Sequence, residues 1–174
     1  MRLLLVEVER HFPLMATLKS ELSLAFKKEI ITHHKTFIVE PSCFNHRKHK
    51  WDGGKILAQL RGEFRKTRAG QFMVLGIFPY DMYVDSLNFV YGLAEKNGNY
   101  AIVSAFRLGE GFYGKHQNEK LYSQRILKEA LHEVGHMMGL EHCKNKKCVM
   151  SFSPNILFVD KKGSEFCERC EFLL

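Results

Sequence analysis

The chain has 174 residues, of which 45% are hydrophobic, and it carries a formal net charge of +7 at pH 7. This length supports one domain with a proper core, so we expect residues 1–174 to fold as a single domain. The first apolar run, residues 3–6, is followed by Glu7 and Glu9, which argues against a signal peptide or a membrane-spanning helix. We therefore expect a cytoplasmic protein with no membrane partner, in a compartment that disfavours disulfide bonds.

The positive charge raises the question of nucleic-acid binding. Basic residues form three groups: Arg47, Lys48 and Lys50; Arg61, Arg65, Lys66 and Arg68; and Lys144, Lys146 and Lys147. No recognised nucleic-acid-binding motif accompanies them, and Arg61 and Arg65 have the spacing of an exposed helical face whose Phe64 points inward. We interpret the groups as solvated surfaces and do not expect nucleic acid as a partner. A basic zinc protein that binds nucleic acid stays an alternative, and it predicts steeply salt-dependent binding.

The first half of the chain predicts strands and helices in alternation. Residues 3–8 read as a buried strand, residues 13–29 as an amphipathic helix and residues 30–39 as a second strand. His33 and His34 are neighbours on that second strand, so their side chains should point to opposite faces. We interpret both histidines as non-catalytic.

A polar, basic stretch, residues 41–51, predicts a loop. It contains Cys43, which lies far in sequence from the other four cysteines, and we interpret it as an inert thiol. Residues 54–66 predict a second helix. The continuous apolar run 72–78 predicts a central strand that is covered on both faces.

A β-hairpin is predicted between residues 88 and 108. Two strand-like runs flank the turn at Lys96, Asn97 and Gly98, and Asn-Gly is a strong hairpin signal. An exposed edge strand can bind an extended peptide through main-chain hydrogen bonds. A hairpin that binds no ligand is the alternative interpretation.

After a glycine-rich connection, residues 109–114, a long helix is predicted from about residue 118 to 138. Its buried side is apolar, whereas Lys128 and Glu129 are expected to face the solvent. The buried side comprises Leu121, Ile126, Leu127, Ala130, Leu131 and Val134.

The end of this helix carries the sequence HEVGHMMGLEH. Successive helical residues are about 100° apart, so His132 and His136 lie roughly 40° apart on one face and one turn apart along the axis. Glu133 is rotated away from that face, which suits a group that deprotonates a water molecule better than a third ligand. Gly139 can end the helix and turn the chain back, so that His142 becomes the third ligand.

Three neutral imidazoles leave one tetrahedral position open, which distinguishes a catalytic zinc site from a closed structural one. The residues therefore predict a catalytic zinc ion held by His132, His136 and His142. Glu133 is predicted to be the general base.

The same stretch has the metzincin form HExxHxxGxxH, and the residues that follow narrow the family. In order they are Cys143, Cys148, Met150, Cys167 and Cys170. This order closely resembles the archaemetzincins, whose signature continues through a third His, two Cys and a Met to a terminal CxxC. The Ser-x-x-Arg-Leu stretch at residues 104–108 is similar to the same family. The resemblance implies a zincin-like fold, an edge strand that lines the cleft, a Met turn at Met150 beneath the histidines, and peptidase or aminopeptidase activity.

The four C-terminal cysteines have paired spacings that can close a tetrahedral thiolate site. Such a site has no room for water and would hold a structural zinc ion, tying the segment with His142 and Met150 to the tail. Disulfide pairing is the alternative, although the expected compartment disfavours it. A redox-active CxxC is not expected, because no thioredoxin-like pattern surrounds it. The predicted ligands are Cys143, Cys148, Cys167 and Cys170.

Together these features predict an α/β (α+β) domain of the zincin type, with a mixed twisted sheet, an active-site helix and a zinc-stapled C-terminal segment. The N-terminal part would span about residues 1–138 and the C-terminal part about residues 139–174. The predicted function is hydrolysis of peptide substrates with two zinc ions per chain, one catalytic and one structural. The alternative is a zinc-stabilised module that binds peptides or proteins with little or no turnover. Glu133 discriminates between them, since a non-catalytic site has no use for that carboxylate.

Overall fold

The computed structural model of the chain describes residues 2–10, 12–27, 29–33, 36–65 and 72–174. His34, Lys66 and Arg68, which the sequence analysis singled out, lie outside the described residues. Within the described ranges no helix combines the length and the apolar character that crossing a membrane would require.

Eight strands form in the described part of the chain: β1 (Arg2–Glu7), β2 (Ile30–Thr32), β3 (Phe44–Asn45), β4 (Lys50–Asp52), β5 (Phe72–Phe78), β6 (Met82–Tyr83), β7 (Gly92–Ala94) and β8 (Tyr100–Ser104). Its helices are α1 (Met15–Phe26), α2 (Gly53–Arg65), α3 (Glu119–Met137), α4 (Ile156–Lys161) and α5 (Glu168–Phe172). The main sheet has the order β2-β1-β5-β8-β7. Its first four strands are parallel, and β7 pairs antiparallel with β8 at the edge. The sheet is therefore mixed, as predicted.

Both faces of the main sheet are covered, which explains the continuous apolar run of β5. Leu75 and Val103 face a core shared with α1 and α3, whereas Val74 and Ile102 face a second core shared with α2. Strand residues alternate between faces, so a strand buried on both sides needs apolar residues at every position. The prediction for residues 72–78 is confirmed.

The structure confirms the first two predicted helices, although their first and last residues differ from the prediction. α1 begins two residues after Pro13 and ends at Phe26, because Lys27 adopts a left-handed conformation with φ of 50°. α2 begins at Gly53, directly after β4, and buries Ile56, Leu57, Leu60 and Phe64 as predicted. Arg61 and Arg65 are exposed on its opposite face.

Two predictions for residues 30–51 were wrong. The strand predicted over residues 30–39 is only three residues long, and beyond it an isolated bridge joins Phe37 to Val8. The predicted loop 41–51 instead contains a short 3-10 helix (Pro41–Cys43), β3 and β4, and β4 pairs with β6 to form a second sheet. These strands of two or three residues are too short to show a periodicity. Cys43 is buried, and burial raises the pKa of its thiol.

The predicted hairpin is confirmed around its turn. β7 and β8 flank Asn97, whose φ of 54° is the left-handed conformation that the Asn-Gly pair favours. The second strand ends at Ser104, and residues 106–108 form a 3-10 helix where the prediction continued the strand. The hairpin places β7 as the last strand of the main sheet, next to α3.

Candidate metal centre

The helix that carries the first two histidines is capped at its start, where the Asn118 side chain accepts a hydrogen bond from the backbone N–H of Leu121. His132 and His136 lie one turn apart near its end, and their Nε2 atoms are 3.1 Å apart. Gly139, with φ of 98°, turns the chain back, as predicted. His142 joins the other two, and one ligand atom from each histidine lies within 4.8 Å of the others.

Hydrogen bonds orient the rings of the two helical histidines. Nδ1 of His132 lies 2.9 Å from the carbonyl oxygen of Val149, and Nδ1 of His136 lies 2.8 Å from that of Leu140. A carbonyl oxygen only accepts, so both Nδ1 atoms carry the proton and both Nε2 lone pairs are free. This donor set fits a zinc ion.

The electrostatic environment favours the uncharged rings that metal binding requires. Burial lowers the pKa of His132 far below its usual range, and the nearby charge of Lys162 adds to the effect. Burial also lowers the pKa of His136 and of His142, although His142 is the most exposed of the three.

Glu133 lies between α3 and the edge strand. Glu133 is 5% exposed. Its burial is the main cause that raises its pKa well above the usual range, and the charge of Glu129 adds to this rise, whereas the charge of Lys162 lowers the pKa. Gly92 on β7 passes so near that a Cβ atom there would fall 2.3 Å from Oε1 of Glu133. The main chain of the edge strand and this carboxyl group are thus in direct proximity.

A cleft of about 760 Å³ opens in front of the histidines. The Phe152 ring, 5.1 Å from the ring of His142, forms part of its wall. Glu133 and the three histidines line this cleft together with β7 and the residues before it. Its apolar lining includes Val84, Leu87, Phe89, Val90, Leu93 and Pro154.

Met150 lies against the active-site helix, as the resemblance implied. It is fully buried, and a Cβ atom at Gly135, between the two helical histidines, would fall 2.5 Å from its Sδ. Its carbonyl oxygen accepts a hydrogen bond from the backbone N–H of Cys143. Met150 therefore supports the helix from within the core.

The structure brings the four predicted cysteines into one cluster, separate from Cys43. Their sulfur atoms lie within 4.8 Å of one another, and the Sγ atoms of Cys143 and Cys167 are 3.8 Å apart. All are free thiols, and this separation is far beyond the about 2.05 Å of a disulfide bond. The pKa of Cys167 is lowered to about 7, mainly by a hydrogen bond from the backbone N–H of Cys170. Burial raises the pKa of Cys148 and of Cys170. Four converging thiols fit a tetrahedral zinc site.

The prediction that Lys128 and Glu129 face the solvent was wrong. Glu129 is 3% exposed, and its Oε1 lies 2.9 Å from Nζ of Lys162, which is itself buried. Nζ of Lys128 donates to the carbonyl oxygens of Val159 and Asp160. The segment after Met150 covers this side of α3, so its charged residues meet partners rather than water. No pattern around Lys162 in the sequence signals this contact.

Comparison with known proteins agrees with the site. The profile of Peptidase family M54 matches residues 32–174. The chain belongs to this family. A curated archaemetzincin from Sulfolobus acidocaldarius is 41% identical over 142 residues, which are 82% of this chain and 78% of that protein. The predicted resemblance is confirmed, and the chain is a zinc metallopeptidase that acts on peptide substrates.

Two solved structures share the fold. The archaemetzincin from Archaeoglobus fulgidus, solved as a complex with malonate, has a TM-score of 0.86 at 30% identity and covers 100% of both chains. A zinc-dependent peptidase from Methanocorpusculum labreanum has a TM-score of 0.87 at 28% identity and covers 98% of both chains. The predicted zincin-like fold is thereby confirmed.

Proposed function

We propose that His132, His136 and His142 hold a catalytic zinc ion and that Glu133 is the general base of peptide-bond hydrolysis. The observation that carries the proposal is the convergence of the two helical Nε2 atoms, 3.1 Å apart, on the cleft that Glu133 also lines. Zinc bound there would polarise the scissile carbonyl group and increase the acidity of a water molecule.

Glu133 would take a proton from the attacking water and pass it to the leaving amine. Its burial suits this role, because a carboxyl group with a raised pKa is a stronger base than one in water. The main chain of β7 would hold the peptide in an extended conformation beside it. Gly92 is the position on β7 that brings the strand within reach of Glu133.

We further propose that Cys143, Cys148, Cys167 and Cys170 hold a second, structural zinc ion, which gives two per chain. Cys143 directly follows His142, so the structural zinc ion would fix the loop that carries the third histidine.

We also propose a cytoplasmic location, where reducing conditions would keep these four thiols available to bind zinc. Two cores on one shared sheet support a single domain over residues 1–174.

Zinc content and turnover test these assignments together. We expect two zinc ions per chain in the parent protein purified without added metal, and one each in His136→Ala and Cys148→Ser. Glu133→Gln should keep both ions and lose hydrolysis by roughly 10²-fold or more. A Glu133→Gln variant with unchanged turnover would rule out the general-base role. A parent that binds peptides and never cleaves them would favour the binding module.

End preference is tested with the same protein. The family resemblance allows an aminopeptidase, which requires a free amino terminus on its substrate. Paired peptides with a free or an acetylated amino terminus separate the two specificities, because an endopeptidase cleaves both. Nucleic acid is not proposed as a partner, and weak, unselective binding at physiological salt is the expected result of a direct assay.

A further inference from the structure

Three exposed aromatic rings form a patch on the segment that follows β8. This aromatic patch comprises Phe106, Phe112 and Tyr113, which are 42%, 43% and 38% exposed. The centroid of the Phe112 ring lies 5.5 Å from that of Phe106 and 5.0 Å from that of Tyr113. A single exposed apolar side chain is ordinary in a soluble protein, whereas adjacent exposed rings indicate a surface that binds another molecule.

Arg107 connects the aromatic patch to the cleft. Its Cζ atom lies 4.6 Å from the centroid of the Phe112 ring and 4.3 Å from that of the Phe89 ring, which lines the cleft. Nε and one terminal nitrogen of Arg107 donate to the two carboxylate oxygens of Asp81, at 2.7 and 2.8 Å, and this paired contact fixes the plane of the guanidinium group. The patch therefore continues the wall of the cleft.

Tyr113 makes a second connection between the patch and the cleft. Its hydroxyl group donates to the carbonyl oxygen of Arg107. Burial, and then a side-chain hydrogen bond with Tyr113, raise the pKa of Tyr91 above its usual range, and Tyr91 also lines the cleft. These contacts hold the patch beside the cleft while its rings stay exposed.

Charge does not determine what the patch binds. Arg107 is paired with Asp81, and the rings are flanked by one acidic and one basic residue, Glu110 and Lys115. A partner therefore gains little from a charge of its own. Apolar and aromatic side chains fit the patch best, because burying aromatic rings removes a large apolar area from water.

The position of the patch along the cleft identifies its occupant. Phe89 precedes β7 in the chain, so a peptide that pairs with Gly92–Ala94 passes Phe89 as it leaves the strand in that direction. Phe89 and Phe112 both contact Arg107, and an extended peptide advances about 3.3 Å per residue, so about two or three further residues reach the patch.

We propose that the aromatic patch binds apolar side chains of the peptide substrate beyond the segment that pairs with β7. The patch lies outside the cleft and gives longer, apolar substrates an additional contact. This inference rests on the proposed function and extends it.

The test measures how binding changes when a probe is lengthened toward the patch, and it does not require turnover. Peptide hydroxamates that chelate zinc carry a short alanine core, which is extended by leucines or by the same number of serines on either side of the chelating group. Dissociation constants are measured by calorimetry on the zinc-loaded parent protein. Within one protein, the ratio of the two constants cancels differences in folded fraction and zinc affinity.

We expect leucine extensions to bind roughly tenfold more tightly than serine extensions, and on one side of the chelating group only. The side that responds depends on the direction of the bound peptide. It is the C-terminal side if the peptide runs antiparallel to β7, and the N-terminal side if it runs parallel.

Three variants locate the preference. Phe106→Ser removes a ring that contacts Phe112 and does not line the cleft, and it should lower the leucine-to-serine preference. The double change Phe106→Ser with Phe112→Ser should bring the preference close to one. Leu24→Ser changes a residue of α1 that is 71% exposed and lies outside the cleft, and it should keep the parent preference.

Equal binding of leucine and serine extensions on both sides, with zinc-dependent binding of all probes, overturns the role of the patch and leaves the proposed function standing. A preference that survives in the double variant overturns it as well. Binding of no probe, or binding unchanged by His136→Ala, would overturn the proposed catalytic site and this inference together.

Discussion

Gly92 and Glu133 approach so closely that a Cβ atom at position 92 would fall 2.3 Å from Oε1 of the glutamate. Real Cβ atoms do not make contacts this short, so Gly92→Ala must displace the carboxyl group or the edge strand. A displacement of about 1 Å can reduce a catalytic rate by roughly 10²-fold. We expect Gly92→Ala to lose hydrolysis to about that extent while it keeps its zinc, as measured by initial rates and metal analysis.

Gly62→Ala is the matched control for this change. A Cβ atom at Gly62, on the exposed side of α2, would meet no atom within 4 Å. Its turnover should equal that of the parent. Full activity in Gly92→Ala would mean that Glu133 tolerates the shift and is not held by this contact.

Gly139 has φ of 98°, and a Cβ atom there would fall 2.3 Å from Oδ1 of Asn97 in the hairpin turn. Gly139→Ala should therefore suffer both backbone strain and a collision, at a cost of about 1–3 kcal/mol for the strain alone. We expect a lower melting temperature and weaker zinc binding, because this turn delivers His142. The double variant Asn97→Gly with Gly139→Ala should recover only the part due to the collision. An unchanged melting temperature in Gly139→Ala would contradict this account.

The pH dependence of zinc retention follows from the three histidines. Their pKa values are lowered in the folded chain, so below about pH 6.5 the unfolded chain binds more protons than the folded one. The metal-free protein should therefore lose stability as pH falls below about 6.5, and zinc should leave in the same range because protons compete for the rings. Chemical denaturation and metal analysis between about pH 5 and 8 measure both effects.

Substitution of single histidines tests whether they cause the predicted loss of stability at low pH. His132→Gln should weaken the loss of stability on acidification, whereas His116→Gln, at an exposed position away from the cleft, should not. An equal slope in the parent and in His132→Gln would show that other groups cause the acid lability.

The cysteine cluster should influence the catalytic site through the bond between His142 and Cys143. In Cys170→Ser the loop that carries His142 loses its attachment to the tail, and we expect roughly tenfold weaker zinc binding at the three histidines. Competition with a metal indicator measures this affinity. Cys43→Ser, which changes a buried cysteine outside the cluster, should keep the parent affinity. If Cys170→Ser and Cys43→Ser bind zinc at the three histidines with equal affinity, the cysteine cluster does not influence the histidine site.

The features predicted best from the sequence are those set by neighbouring residues. The histidine spacing on α3, the left-handed turn at Gly139 and the hairpin at Asn97 each depend on a few adjacent positions, and the structure contains all of them. Local geometry of this kind follows directly from residue type and helical periodicity.

Glu129 shows why other features could not be predicted. On a helical wheel it looks like a solvated residue beside Lys128, and its burial depends on Lys162, 33 positions further along the chain. Pairing of two charges so distant in sequence leaves no periodic signal. The short second sheet escaped prediction for a related reason, since Trp51 pairs with Met82 across a long intervening segment.

If the substrate pairs with the edge strand as proposed, that strand also limits which proteins this peptidase can attack. Pairing with β7, which covers only Gly92–Ala94, requires a partner segment that is extended and has its own backbone groups unpaired. Helices and internal strands of a folded protein do not meet that requirement until they open. Cleavage of such proteins would then depend on how often a segment of the substrate unfolds locally, so that loosely folded or damaged chains are degraded faster than stable ones.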